Sequence, residues 1–111
     1  MNDDCIPNYI RWIELSTREI HSWKCIDNIN WIDVTNAINV VKIKSYGYLN
    51  NIYGVFLTSS NNNYHYFFSI YGSRLVFLLS QDNQYRKFGK ILFKERTSCN
   101  PDKKTYNCLI M

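Results

Sequence analysis

Two spacings of apolar residues divide the chain. Over residues 8–24, Ile13, Ile20 and Trp23 fall near one face with Tyr9 or Ile10 at helical spacing, and Asn8 after Pro7 is a candidate N-cap. The alternation of Tyr9, Ile13 and Leu15 against Arg11 and Glu14 also tolerates a short strand in the first half. The helix would then be confined to about 16–23, with Ser16-Thr17-Arg18-Glu19 as its capping box.

From Ile38 onward the period becomes two. Val41 and Ile43 alternate with Lys42 and Lys44, which predicts a strand with one wet face. Gly47 and Asn50-Asn51 punctuate the chain before a strand over 52–58, and the polar loop 59–63 precedes another over 64–71. Gly72-Ser73 is a two-residue hairpin candidate leading into 74–80. Gln81-Asp82-Asn83-Gln84 closes that strand, 88–96 supplies the next, and Asn100-Pro101-Asp102 turns the chain into 105–110. The predicted fold is α+β and mainly antiparallel β: an N-terminal helix packed on a meander sheet, sandwich or partial barrel. At 111 residues the whole chain, 1–111, reads as one domain with a modest core.

Composition adds little to the fold and something to the class. With 46% hydrophobic and 20% charged residues the chain is well inside the folding range, and the abundance of Asn, Ile and Tyr reflects an AT-rich genome more than a mechanism. The net charge of +4 is polarised, acidic in the N-terminal third and basic from Arg74 onward, so one end can steer a partner. Met1-Asn2-Asp3-Asp4-Cys5 lacks the charged and apolar regions of a secretory signal, and no apolar run reaches the length of a membrane span. A cytoplasmic protein is expected. Its four cysteines, at 5, 25, 99 and 108, are then expected as thiols, with a Cys99–Cys108 bridge across a terminal hairpin as the alternative.

The ending Cys108-Leu109-Ile110-Met111 satisfies C-a-a-X and looks like a farnesyl acceptor, with Lys103 and Lys104 as a second membrane signal. Cys108 is thus a lipidation candidate, and membrane attachment is expected only if it is prenylated. The alternation of Tyr106, Cys108 and Ile110 equally describes a last strand, which is the favoured reading.

Catalytic and metal signatures are weak. His21 and Cys25 stand four apart, but no CxxC or HxxxH completes a tetrahedral set, so neither metal nor cofactor is expected. An acid/base pair for phosphodiester cleavage would have to use His21 and His65, and no motif supports it. His65 reads instead as a half-buried strand residue, sharing a face with Phe67 and Ser69. Tyr64, Tyr66, Tyr71, Tyr85, Arg86 and Lys87 are the residue types that stack single-stranded bases, yet no ribonucleoprotein signature accompanies them. Nucleic acid and small-molecule substrates are therefore not the expected partners, and the chain is not expected to be an enzyme.

Protein binding remains. Three tryptophans and nine tyrosines are many for a small core, and exposed aromatics beside charges make interface anchors. Residues 23–33, read as an irregular stretch between helix and sheet, offer Trp23, Asp27, Trp31 and Asp33 as docking residues, and Tyr46, Tyr48 and Tyr53 are grouped with them. In length, Asn/Ile/Tyr-rich composition, want of catalytic motifs and this aromatic, acidic stretch, the whole chain resembles the small immunity proteins that bacteria make against contact-dependent inhibition toxins and bacteriocins. The resemblance implies a non-enzymatic inhibitor that occludes the active site of a cognate toxin domain, a nuclease among the candidates, with electrostatic steering of association. The alternatives are a prenylated accessory protein of an AT-rich virus or intracellular pathogen, and a small RNA-binding or RNA-cleaving domain.

Overall fold

The computed structural model describes residues 7–27, 30–34 and 40–96. They form β1 (Pro7–Glu14), β2 (Ile20–Cys25), β3 (Asn30–Asp33), β4 (Val40–Leu49), β5 (Ile52–Ser59), β6 (His65–Ser69), β7 (Leu75–Leu79) and β8 (Tyr85–Arg96). Each strand pairs antiparallel with the next, and β8 returns to pair with β1, so the meander closes as a barrel. The predicted strand at 105–110, Cys99 and the Cys108 motif lie outside the described residues.

The fold is all-β, and the predicted N-terminal helix is replaced by a β-hairpin; no helix occurs among the described residues. The reason is visible in burial. Ile10 and Trp12 turn inward around exposed Arg11, and Trp23 and Cys25 turn inward around exposed Lys24, which is period two and not 3.6. Ile20, placed on the helical face by its spacing, is 46% exposed. The supposed capping box is the hairpin loop: Glu14 N–H donates to Glu19 O (2.8 Å), Arg18 N–H to Glu14 O (2.8 Å), and Glu19 N–H to Thr17 Oγ1 (3.2 Å). Arg18 takes the left-handed conformation (φ 65°) that no helix interior contains. Strand pairing with β2 on one side and β8 on the other overrides a marginal helical pattern.

An eight-stranded barrel is just wide enough for its own side chains to fill it. Here the filling is aromatic and branched: Ile10, Trp12, Trp23, Trp31, Val41, Val55, Leu57, Phe68, Ile70, Val76 and Ile91 are each at most 3% exposed and form one cluster. Gly89 on β8 makes room for Trp12. A second, smaller cluster lies on the outer wall. Phe67, opposite Phe56 on β5 and Phe77 on β7, is completely buried although it points away from the barrel axis, and Phe56 packs in turn on Phe67 (4.7 Å) and Tyr85 (5.6 Å).

The wall is apolar inside and carries exposed Arg11, Lys24, Lys42, Lys44, Lys87 and Lys90 outside, the reverse of a strand-built membrane pore. No helix among the described residues is long and apolar enough to cross a membrane. Cys25 is disulfide-bonded, where thiols were expected, and its partner lies outside the described residues.

Candidate functional site

Antiparallel order brings the end of β1, the start of β2 and the end of β3 to one end of the barrel. There the inward rows of three adjacent strands end in polar residues: Trp12 is followed by Glu14 on β1, Trp23 is preceded by His21 on β2, and Trp31 is followed by Asp33 on β3. Cross-strand pairing of Trp12 with His21 and of Trp23 with Asp33 brings the row ends together.

His21 is the hub. Its Nδ1 lies 3.0 Å from Asp33 Oδ2, and its Nε2 lies 3.2 Å from Glu14 Oε1 and 3.7 Å from Glu19 Oε1. The Trp12 indole stacks on the imidazole at 4.4 Å and 24°, and Trp23 stands edge-on to Trp12 at 5.2 Å. The Asp33 side chain is 4% exposed, those of Glu14 and His21 about 17–18%, and that of Glu19 67%, so the cluster runs from the buried wall out to solvent. Nδ1 thus faces buried Asp33, and Nε2 is the ring atom that faces the two glutamates. Tyr66 packs edge-on against Trp23 (5.1 Å), and its phenol is pushed up to about 12, chiefly by burial and then by the charges of Tyr64, Glu14 and Asp33.

A second polar feature lies on the outer wall. Lys42, Thr58 and His65 stand opposite one another across β4, β5 and β6, and Thr58 Oγ1 is 3.2 Å from His65 Nδ1. With Lys44 and Asn62 they line an open groove of about 570 Å³. It continues over Ser45, Phe56, Leu79 and Tyr85. Among the described residues neither Lys42 nor Lys44 forms an ion pair. His21 and His65 face opposite sides of the wall, so the acid/base pair considered from the sequence is not assembled.

The sequence-derived docking residues separate. Trp23 (3% exposed), Trp31 (0%) and Asp33 (3%) are inner-wall residues and offer no surface to a partner. Residues 23–33 are not an irregular loop but strands β2 and β3 with their turn. Asp27 is exposed and shapes that turn, accepting from Asn30 N–H (2.7 Å) and Asn30 Nδ2 (2.8 Å). Tyr46 and Tyr53 are half-buried against the core, and Tyr48, 69% exposed, packs on Tyr53 at 5.1 Å. These tyrosines sit at the end opposite His21. The cluster around His21 was missed as a unit, although its signal is in the sequence: three tryptophans, each two positions along a strand from an ionisable residue.

Comparison with protein-family models, with curated proteins and with solved structures finds no match for this chain.

Proposed function

We propose that this chain is a non-enzymatic protein-binding barrel that acts by covering part of an acidic partner with its outer wall. The observation that carries the reading is the groove of Lys42, Lys44, Thr58, Asn62 and His65: two lysines without ion pairs among the described residues, set beside neutral hydrogen-bonding groups on rigid strands. Unpaired lysines on a fixed scaffold favour association with carboxylate-rich surfaces and speed the encounter. The inner wall is occupied by its own side chains, so a partner is met from outside.

A protein fits this strip better than a single-stranded nucleic acid. Base stacking needs open ring faces. The rings nearest the lysines, Phe56, Phe67, Phe77 and Tyr85, are spent on one another, with Phe67 fully buried and the other three partly so. An inhibitor of the immunity type would on this reading cover an acidic rim on its toxin, with the basic strip in place of the Trp23–Asp33 face that the sequence suggested.

Action in the cytoplasm belongs to the same proposal, and the disulfide of Cys25 bears on it. Intact mass under non-reducing conditions shows whether that bond is closed in the native protein. The proposal itself is tested by affinity capture from native lysate with the wild-type chain and a Lys42→Glu/Lys44→Glu variant. A stoichiometric protein held by the first and lost from the second is expected. Equal capture by both, or capture of RNA alone, overturns it.

A further inference from the structure

We propose that Glu14, Glu19 and His21 form a binding site for a divalent transition-metal ion, with Asp33 as the residue that positions the imidazole. The three donor atoms Glu14 Oε1, Glu19 Oε1 and His21 Nε2 all lie within 4.8 Å of one another, at 3.2 Å and 3.7 Å from the nitrogen to the two oxygens. Donors about 2.0–2.2 Å from a tetrahedral zinc-like ion stand roughly 3.3–3.5 Å apart, so the two nitrogen–oxygen separations already lie within a few tenths of an ångström of that geometry, and the exposed Glu19 side chain is the one that adjusts to close the third.

The fold builds this arrangement. Glu14 and Glu19 close the β1–β2 loop by a backbone hydrogen bond, which sets the two residues at the two ends of one short turn. His21 is held on its other nitrogen by Asp33, the carboxylate–histidine–metal pattern that sets both the tautomer and the ring orientation, and Trp12 stacked on the ring fixes its plane.

A separate observation is the charge. Three carboxylates surround one imidazole, and among the described residues no lysine or arginine pairs with Glu14 or Glu19. Glu14 and Glu19 thus bring two carboxylates to one imidazole nitrogen at the mouth of an apolar barrel, negative charge that a divalent cation neutralises. Imidazole among the donors selects zinc, cobalt, nickel, copper or iron over magnesium and calcium. Three protein ligands leave a coordination position open to water or to a partner's carboxylate.

The site is independent of the outer-wall lysines, so each proposal stands or falls alone. The test is a titration of the purified, chelator-treated full chain, disulfide intact, with Co²⁺ followed by visible absorption and with Zn²⁺ followed by calorimetry. One equivalent of saturable binding is expected. Glu19→Gln, at an exposed position that leaves the fold untouched, should weaken it at least about tenfold, and His21→Gln should abolish it. Asp33→Asn should keep the one-to-one stoichiometry, weaken affinity about 10–100-fold and alter the Co²⁺ spectrum, which a merely structural role would not do. Absence of saturable binding, undiminished binding in Glu19→Gln, or a thiolate–cobalt charge-transfer band would each overturn the assignment.

Discussion

The indole of Trp12 lies directly over the backbone of Gly89. A Cβ at residue 89 would meet Trp12 Cζ3 at 2.7 Å and the carbonyl oxygen of Ile13 at 2.6 Å. Neither neighbour is free to yield, since Trp12 is 1% exposed between His21, Trp23 and Phe88, and the Ile13 carbonyl belongs to the β1–β8 ladder. The conformation of Gly89 needs no glycine; the space does.

Gly89→Ala is therefore expected to destabilise the barrel by about 2–4 kcal/mol through overpacking against a rigid wall. For a domain of this size that lowers the melting temperature by roughly 10 °C or more. Urea denaturation with an unchanged m-value would show that the loss is native-state strain. A melting point within a degree or two of wild type would mean that Trp12 can move, and with it the stack on His21.

The second half of the barrel is readable from local pattern. Strands expected at 52–58, 64–71, 74–80 and 88–96 correspond to β5, β6, β7 and β8, because alternation and turn residues lie within each segment. Lys42 and Lys44 were rightly placed on a wet face. Residues 8–24 mislead because Ile13, Ile20 and Trp23 mimic a helical stripe, while the evidence against it is remote: β1 owes its place to β8, with Trp12 opposite Ile91 and Arg11 opposite Phe93. The His21 cluster is hidden for the same reason. Glu14, His21 and Asp33 become neighbours only once three strands are in register, and no spacing within one segment announces that.

Asn50 and Asn51 form the whole loop between Leu49 and Ile52, with φ of 50° and 71°. Positive φ at both central residues is the type I′ turn, whose twist matches the strands it joins. Asn51→Gly is expected to be neutral or stabilising by up to about 0.5 kcal/mol. Asn51→Val should cost about 1–2 kcal/mol, because a β-branched side chain resists the left-handed region. Chemical denaturation of the two variants side by side checks the ranking, and a reversed order would rule out the turn as described.

Tyr66 supplies a prediction in pH. Its folded pKa is raised to about 12 from the ordinary 10, first by burial, so the unfolded chain loses this proton before the folded one does. Between those values the unfolded state binds fewer protons, and the stability of the fold falls as pH rises. After discounting for partial exposure the contribution is on the order of 1 kcal/mol. Tyr66→Phe should flatten the alkaline loss of stability in a series of melts from neutral pH upward, and its phenolate absorbance should disappear from the latest part of the ultraviolet titration. An identical alkaline slope in the variant would place the titrating group elsewhere, with Tyr85, whose phenol is also raised by burial, the next to replace.

The outer-wall lysines make the opposite kind of prediction, in which stability should not move. Lys42 and Lys44 are exposed and lie on the wet face of β4, so reversing both to Glu is expected to change unfolding free energy by no more than about 0.5 kcal/mol. Their role on the proposed reading is in the encounter. Charge reversal should slow association about tenfold or more at low salt, leave dissociation nearly unchanged, and remove most of the salt dependence of the association rate. Kinetics measured at several ionic strengths separate this from a local contact, which would change dissociation instead. If association by wild type is itself insensitive to salt, the strip is not steering anything, and the partner surface must be sought at the tyrosine end of the barrel.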